Sequence, residues 1–172
     1  MLKPFLSLVL ASTALPLSVH ATPTASMAQT KPVEPANSDP TIKPGAPTLP
    51  RITHNTRLYE KFGGHEGLVA IMDDAMNRWM HNSRTRPFFE HADRDSIKMH
   101  LVEQFCVILD GPCTYTGRTM AEAHRGHKIP EGAFYALAEE LQNTLSSRHV
   151  PFNAQNRLIA ALAPMHRDIV NK

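Results

Sequence analysis

Cysteine is scarce in this 172-residue chain, which has only Cys106 and Cys113. No C-x-x-C-H run occurs, so c-type thioether attachment of a cofactor is excluded. The intervals between Cys106, Cys113, His124 and His127 fit no ordinary structural zinc pattern, which wants tightly spaced pairs. H-E-x-x-H, G-x-S-x-G and phosphate-loop signatures are missing, so nucleophilic or zinc-dependent hydrolysis has no visible machinery. Charge of one sign is missing too: 18 Lys and Arg face 16 Asp and Glu, for a net +2. With no basic block carrying interleaved aromatics, nucleic acid is not an expected partner. Strand alternation bounded by hairpin turns is also lacking. The two thiols stay open between a disulfide in an oxidising compartment and buried free cysteines.

The N-terminus MLKPFLSLVLASTALPLSVHA carries Lys3, an apolar run from Phe5 to about Val19, and small residues around Ala21. This is the grammar of a secretory signal, with Val19-x-Ala21 as an acceptable cleavage site. The run falls short of the roughly 20 residues of a membrane span and Pro16 interrupts it, so no stable span is expected after cleavage. The other reading is an uncleaved anchor. No cysteine follows the run, which argues against a lipid-attached form. Thr22 to Pro50 then holds seven of the fourteen prolines and almost no large apolar residues. Such a segment cannot offset its ordering entropy by burial and reads as a disordered or extended linker. The expected organisation is a signal at 1–21, a linker at 22–55 and one folded domain at 56–172, in a periplasmic or secreted protein.

Four segments of that domain carry the helical period. Leu68, Ile71, Met72, Ala75, Met76 and Trp79 mark a helix of about Glu66 to His81, after the Gly63-Gly64 turn. Ile97, Leu101, Phe105 and Ile108 mark a second, from an Asp95/Ser96 cap to Leu109, stopped by Asp110-Gly111-Pro112. Phe134, Leu137, Ala138, Leu141 and Leu145 form the stripe of a third, launched by Pro130. Leu158, Ile159, Leu162 and Ile169 mark a fourth, from a cap near Asn153 with a kink at Pro164. The fold class is all-α. A loop rich in Gly, Pro and Thr from Asp110 to about Thr119, with a short helical piece around His124, is long enough to suggest function. Four short helices leave room for a bound cofactor as part of the core.

Of ten histidines, His100 is the most informative, because it sits on the apolar face of the second helix, three residues after Ile97 and beside Leu101. A histidine there is more often a core residue with one hydrogen bond than a ligand. His124 lies beyond the loop, however, and the loop lets it turn to the same cavity. Two imidazoles converging on a flat apolar cofactor is an arrangement that haem iron accepts.

LYEKFGGHEGL, RPFFEHAD, LDGPCTYTGRTMAEAH and GAFYALAEEL together resemble the truncated haemoglobins, above all their group I branch, over nearly all of Leu58 to Val170. The resemblance implies a two-over-two helical sandwich around haem b (iron protoporphyrin IX). It places His124 as the proximal iron ligand and points His127 elsewhere. Phe89 falls where a phenylalanine packs flat on the haem, Tyr115 and Met120 line its edge and proximal side, and Phe105 belongs to the same lining. The distal positions, where the family often has Tyr and Gln, are Met76, Ile97 and Leu101. With these apolar, tight O2 storage and fast NO dioxygenation are not expected. His100 matches a sixth-ligand position of some members, against a five-coordinate alternative, with Met76 a weaker candidate. His166, in Ala163-Pro164-Met165-His166, matches a histidine that some members bond to a haem vinyl.

The expected function is an exported haem protein that binds O2, NO or CO. The alternative for the same haem is to cycle its iron in electron transfer, or in weak peroxidase or NO-converting chemistry, for which a periplasmic electron donor is the expected partner. The competing reading is a haem-free, globin-like interaction module.

Overall fold

The computed structural model of the chain describes residues 48–53 and 57–170. The expected signal and most of the proline-rich linker lie outside the described residues. Among those described there is no strand, and seven α-helices follow in order. They are α1 Leu58–Lys61, α2 Gly64–His81, α3 Arg94–Ile108, α4 Met120–His124, α5 Glu131–Ser147, α6 Phe152–Leu162 and α7 His166–Ile169. Single 3-10 turns at Arg86–Phe88 and Ala163–Met165 lead into α3 and α7. Helix α2 packs on both α3 and α5, α5 packs on α6, and α4 packs on α7. The result is two helix pairs, α2/α3 and α5/α6, laid over one another, with α4 and α7 closing one side.

Helix α2 follows its sequence pattern: Leu68, Ile71, Met72, Ala75, Met76 and Trp79 are all buried. Its start depends on glycine, because Gly63 and Gly64 have φ of +82° and +63°, left-handed values that cost an L-side chain. A third glycine, not singled out from the sequence, is tighter still. A Cβ on Gly67 would run into the Phe62 carbonyl.

The caps differ from expectation in detail. Helix α3 starts two residues early, because Asp93, not Asp95 or Ser96, accepts the Ser96 amide at 3.1 Å. Helix α6 starts after Pro151 with no side-chain cap rather than near Asn153. Pro164 does break the last helix, through the 3-10 turn, since it cannot donate an interior hydrogen bond.

The stripes of α3, α5 and α6 are where burial departs from periodicity. Residues Val102 and Gln104 to Leu109 are buried almost all round, while Ile97 and Leu101 are only half-buried. In α5, Ala133 and Ala136 are buried, while Phe134, Leu137 and Ala138 are half-buried. In α6, Leu158 is buried and Ile159 and Leu162 are half-buried. Large apolar side chains on three helices therefore still have surface to cover.

The two cysteines are bonded. Cys106, fully buried in α3, is joined to Cys113 in the following loop with Cα atoms 5.9 Å apart. That settles the two alternatives in favour of the disulfide. The bond folds the loop back on α3, and Gly111 sits so close to Cys106 Sγ and the Tyr59 ring that a Cβ there would lie 2.6 and 2.8 Å from them.

Because backbone rather than a flexible side chain blocks Gly67, Gly67→Ala is expected to destabilise the domain by about 2 kcal/mol through overpacking. Urea denaturation measures this, and a change within about 0.5 kcal/mol, the range of an ordinary surface substitution, would contradict it.

Candidate functional site

The five-residue helix α4 is far too short to be stable by itself, so its ends must be fixed by specific bonds. Thr119 and Glu122 form a reciprocal capping box. The Glu122 amide donates to Thr119 Oγ1 at 3.2 Å, and the Thr119 amide donates to Glu122 Oε2 at 3.1 Å. The Thr119 hydroxyl, which donates to the same Glu122 oxygen at 2.7 Å, and then the Thr119 amide hold the Glu122 carboxyl below its ordinary pKa.

His124 ends this helix, half-buried, and its Nδ1 meets the Met120 carbonyl oxygen at 2.7 Å. A carbonyl can only accept, so Nδ1 carries the proton and the lone pair of the neutral ring is on Nε2. Burial lowers the His124 pKa, against the Met120 bond, which raises it; the nearby His127 and Arg118 lower it further. The ring therefore stays neutral to lower pH than a free imidazole. A neutral imidazole anchored through one nitrogen is what a metal requires of a histidine ligand. His127 is exposed on the turn that follows.

His100 is half-buried on α3, and its Nδ1 donates to Glu103 Oε2 at 3.4 Å. Its ring meets Tyr115 edge-on, with centroids 6.2 Å apart. The same Glu103 oxygen accepts the Thr116 amide and hydroxyl, both at 2.8 Å. Burial raises the Glu103 pKa, but the Thr116 bonds and then His100 outweigh it, and the carboxyl lies below its ordinary value. Tyr115 spends its hydroxyl on the Arg118 carbonyl at 2.7 Å, and burial raises the pKa of its phenol, with Glu103 adding to the effect. Glu103 and Thr116, neither picked out from the sequence, thus hold the loop and His100 together.

Met76 is buried, Ile97 and Leu101 are half-buried, and all three pack in or against one apolar cluster with Phe105. Phe89, also half-buried, stacks on Trp79 with centroids 5.4 Å apart and planes 14° from parallel. Gln104 was not expected as a site residue. It is only 3% exposed, and its Nε2 lies 3.4 Å from Met120 Sδ and 3.7 Å from Met165 Sδ. Its place three residues after Leu101 and seven after Ile97 was the available signal. His166 heads α7, with its Nε2 buried and lacking a hydrogen bond.

Among the described residues, no three His, Cys, Asp or Glu side chains gather as metal ligands. With both thiols oxidised, zinc has no donor set here. A flat apolar cofactor with one axial histidine fits better. The half-buried Phe89, Ile97, Leu101, Leu137 and Leu162 are apolar surface such a group would cover, and His124 is the residue that would hold it.

Loss of the capping hydroxyl should be felt directly in α4. Thr119→Ala is expected to cost about 1 kcal/mol of stability in urea denaturation, with faster amide exchange at residues 120–124. Unchanged exchange there would show that the cap does not hold this helix.

The bacterial-like globin family matches residues 57–171. The chain is 32% identical over 121 residues to a group 1 truncated haemoglobin of Synechocystis, an alignment covering 67% of this chain and 98% of that protein. It is 30% identical over 112 residues to one of Mycolicibacterium paratuberculosis, covering 65% and 82%. The crystal structure of a truncated haemoglobin from Tetrahymena pyriformis, in its Fe(III) form, superposes with a TM-score of 0.64 at 27% identity, covering 67% of this chain and 98% of that one. Helix order, the two-over-two packing and these matches agree, and the chain belongs to the bacterial-like globin family as a group 1 truncated haemoglobin.

Proposed function

We propose that this protein is an exported haem globin that binds O2, NO or CO, with His124 as the proximal ligand and His100 as a displaceable sixth ligand. The state of His124 carries the reading: neutral, desolvated and anchored through Nδ1. Bound haem would supply an iron able to take a diatomic ligand and to change oxidation state. Phe89, Phe105, Ile97 and Leu101 offer apolar walls for it, and Met120 lies next to the proximal helix turn. His166 stands on α7, which packs on α4, and is the residue that would meet the cofactor's edge.

The distal wall supports a modest role in O2 storage. Met76, Ile97 and Leu101 have no hydrogen-bond donor for a polarised iron-bound ligand, and in a dry pocket such a bond would count heavily. His100 has two places to be. Held by Glu103 and Tyr115, it leaves the sixth position to an external ligand; released, it competes for that position. Competition lowers apparent ligand affinity by the fraction of open protein, and a two-histidine iron suits electron transfer as well as ligand binding. The Cys106–Cys113 bond supports export to the periplasm or beyond, since disulfides persist in oxidising compartments. Turnover there needs an electron donor outside the cytosol.

Purified protein supplied with haem is expected to show a strong Soret band that His124→Ala weakens or removes. A wild type that stays colourless would favour the haem-free interaction module instead. Low-spin spectra in both oxidation states are expected. His100→Ala is expected to convert them to high-spin and to speed CO binding about tenfold if about one-tenth of the wild type is open. A high-spin ferric spectrum in the unmutated protein would rule out His100 as a ligand and leave His124 alone on the iron.

A further inference from the structure

A cluster on α5 and α7 joins solvent to the proximal side through His166. Of the three tyrosines, only Tyr135 is exposed, at 57%. Its hydroxyl donates to Glu131 Oε1 at 3.1 Å, and that same oxygen lies 3.7 Å from His166 Nε2. The Tyr135 and His166 rings are 6.0 Å apart, with planes inclined by 31°, and Phe134 meets His166 edge-on at 4.8 Å.

From His166 the contacts continue inward. Its chain neighbour Met165 places Sδ against Gln104 Nε2, which also touches Met120 Sδ. The Met120 carbonyl holds His124. Electron tunnelling falls steeply with distance, so a contiguous line of rings and thioethers is a favoured route. The other phenols lack the combination: Tyr115 donates to a backbone carbonyl that cannot take a proton, and Tyr59 is half-buried against the core.

We propose that Tyr135 is a surface redox site through which oxidising equivalents, delivered by hydrogen peroxide to the haem pocket, reach phenols at the surface. The proposal rests on the haem reading above. The Tyr135 O–H bond breaks, its electron passes inward through the His166 contact, and its proton goes to Glu131 Oε1. Peroxide is the oxidant: its O–O bond breaks, and it gains two electrons and two protons to leave two waters. Two molecules of protein each lose one hydrogen atom, and the resulting phenoxyls join by a carbon–carbon bond. The balance is one H2O2 and two tyrosines to one dityrosine and two waters. A small phenolic donor would compete by supplying the hydrogen atom in place of Tyr135.

The test uses the full chain loaded with haem, the Soret band recorded first, and equimolar hydrogen peroxide. A covalent dimer two hydrogen atoms lighter than two monomers is expected, with dityrosine fluorescence and the cross-link mapped by mass spectrometry to Tyr135. Tyr135→Phe should lose it with Soret band and CO binding unchanged, while Tyr59→Phe keeps it. Glu131→Gln should slow it roughly a hundredfold, the low end of what a positioned base contributes. Independently of haem, photo-oxidation of the haem-free protein with a ruthenium complex and persulfate should give the same Tyr135 cross-link. A full Soret band with no cross-link, or one that survives Tyr135→Phe in either arm, overturns the proposal alone. Protein that never takes up haem overturns it together with the haem reading.

Discussion

Trp79 holds three parts of the molecule at once. Only 1% exposed in α2, it donates its indole N–H to the Leu137 carbonyl of α5 at 3.1 Å and stacks on Phe89 beyond the 3-10 turn. Its own carbonyl accepts the buried Thr85 hydroxyl at 2.6 Å. One residue, through its side chain and its carbonyl, therefore sets the crossing of α2 with α5 and the path of the chain into α3. Truncating a buried tryptophan typically costs on the order of 3–5 kcal/mol, a large share of what a small domain has. Because Phe89 is itself only half-buried, the contact that stabilises the sandwich also fixes apolar surface that a cofactor would cover.

The loop between α3 and α4 is organised by charge and covalent linkage. The Cys106–Cys113 bond returns the loop to α3, and Glu103 then gathers Thr116 and His100 onto one oxygen. Beyond this anchor the chain passes Tyr115, whose hydroxyl braces Arg118, and enters the capping box of α4. Each bond is local and modest, yet together they deliver His124 to a fixed place on a helix too short to hold itself. The arrangement also gives His100 a defined resting partner in Glu103, with the Tyr115 ring at its edge.

Apolar packing explains why the domain suits a cofactor. Its side chains bury one core around α2 but leave large apolar groups on α3, α5 and α6 half-covered. A small helical domain gains little from such surfaces unless something covers them. The buried amide of Gln104, satisfied only by thioether sulfurs, and the buried Nε2 of His166 lie on this same side of the sandwich as α4 and α7.

What could be read from the residue order was whatever depends on short-range periodicity and on motifs at fixed spacing. The α2 stripe, the Pro164 break and the Gly63-Gly64 turn all belong here, because spacings of three and four place side chains on one helix face and glycine and proline punctuate the helices. The tertiary structure decided what depends on partners distant in the chain. It bonded Cys106 to Cys113 where free thiols were equally open, moved the α3 cap to Asp93, and left Ile97 and Leu101 half-buried although periodicity alone would have sunk them. It also revealed Gly67 against the Phe62 carbonyl, Gln104 between two methionines, and Glu103 beneath the loop. A helical period says that a face is apolar; only the packing of other helices determines how much of that face is covered, and by what.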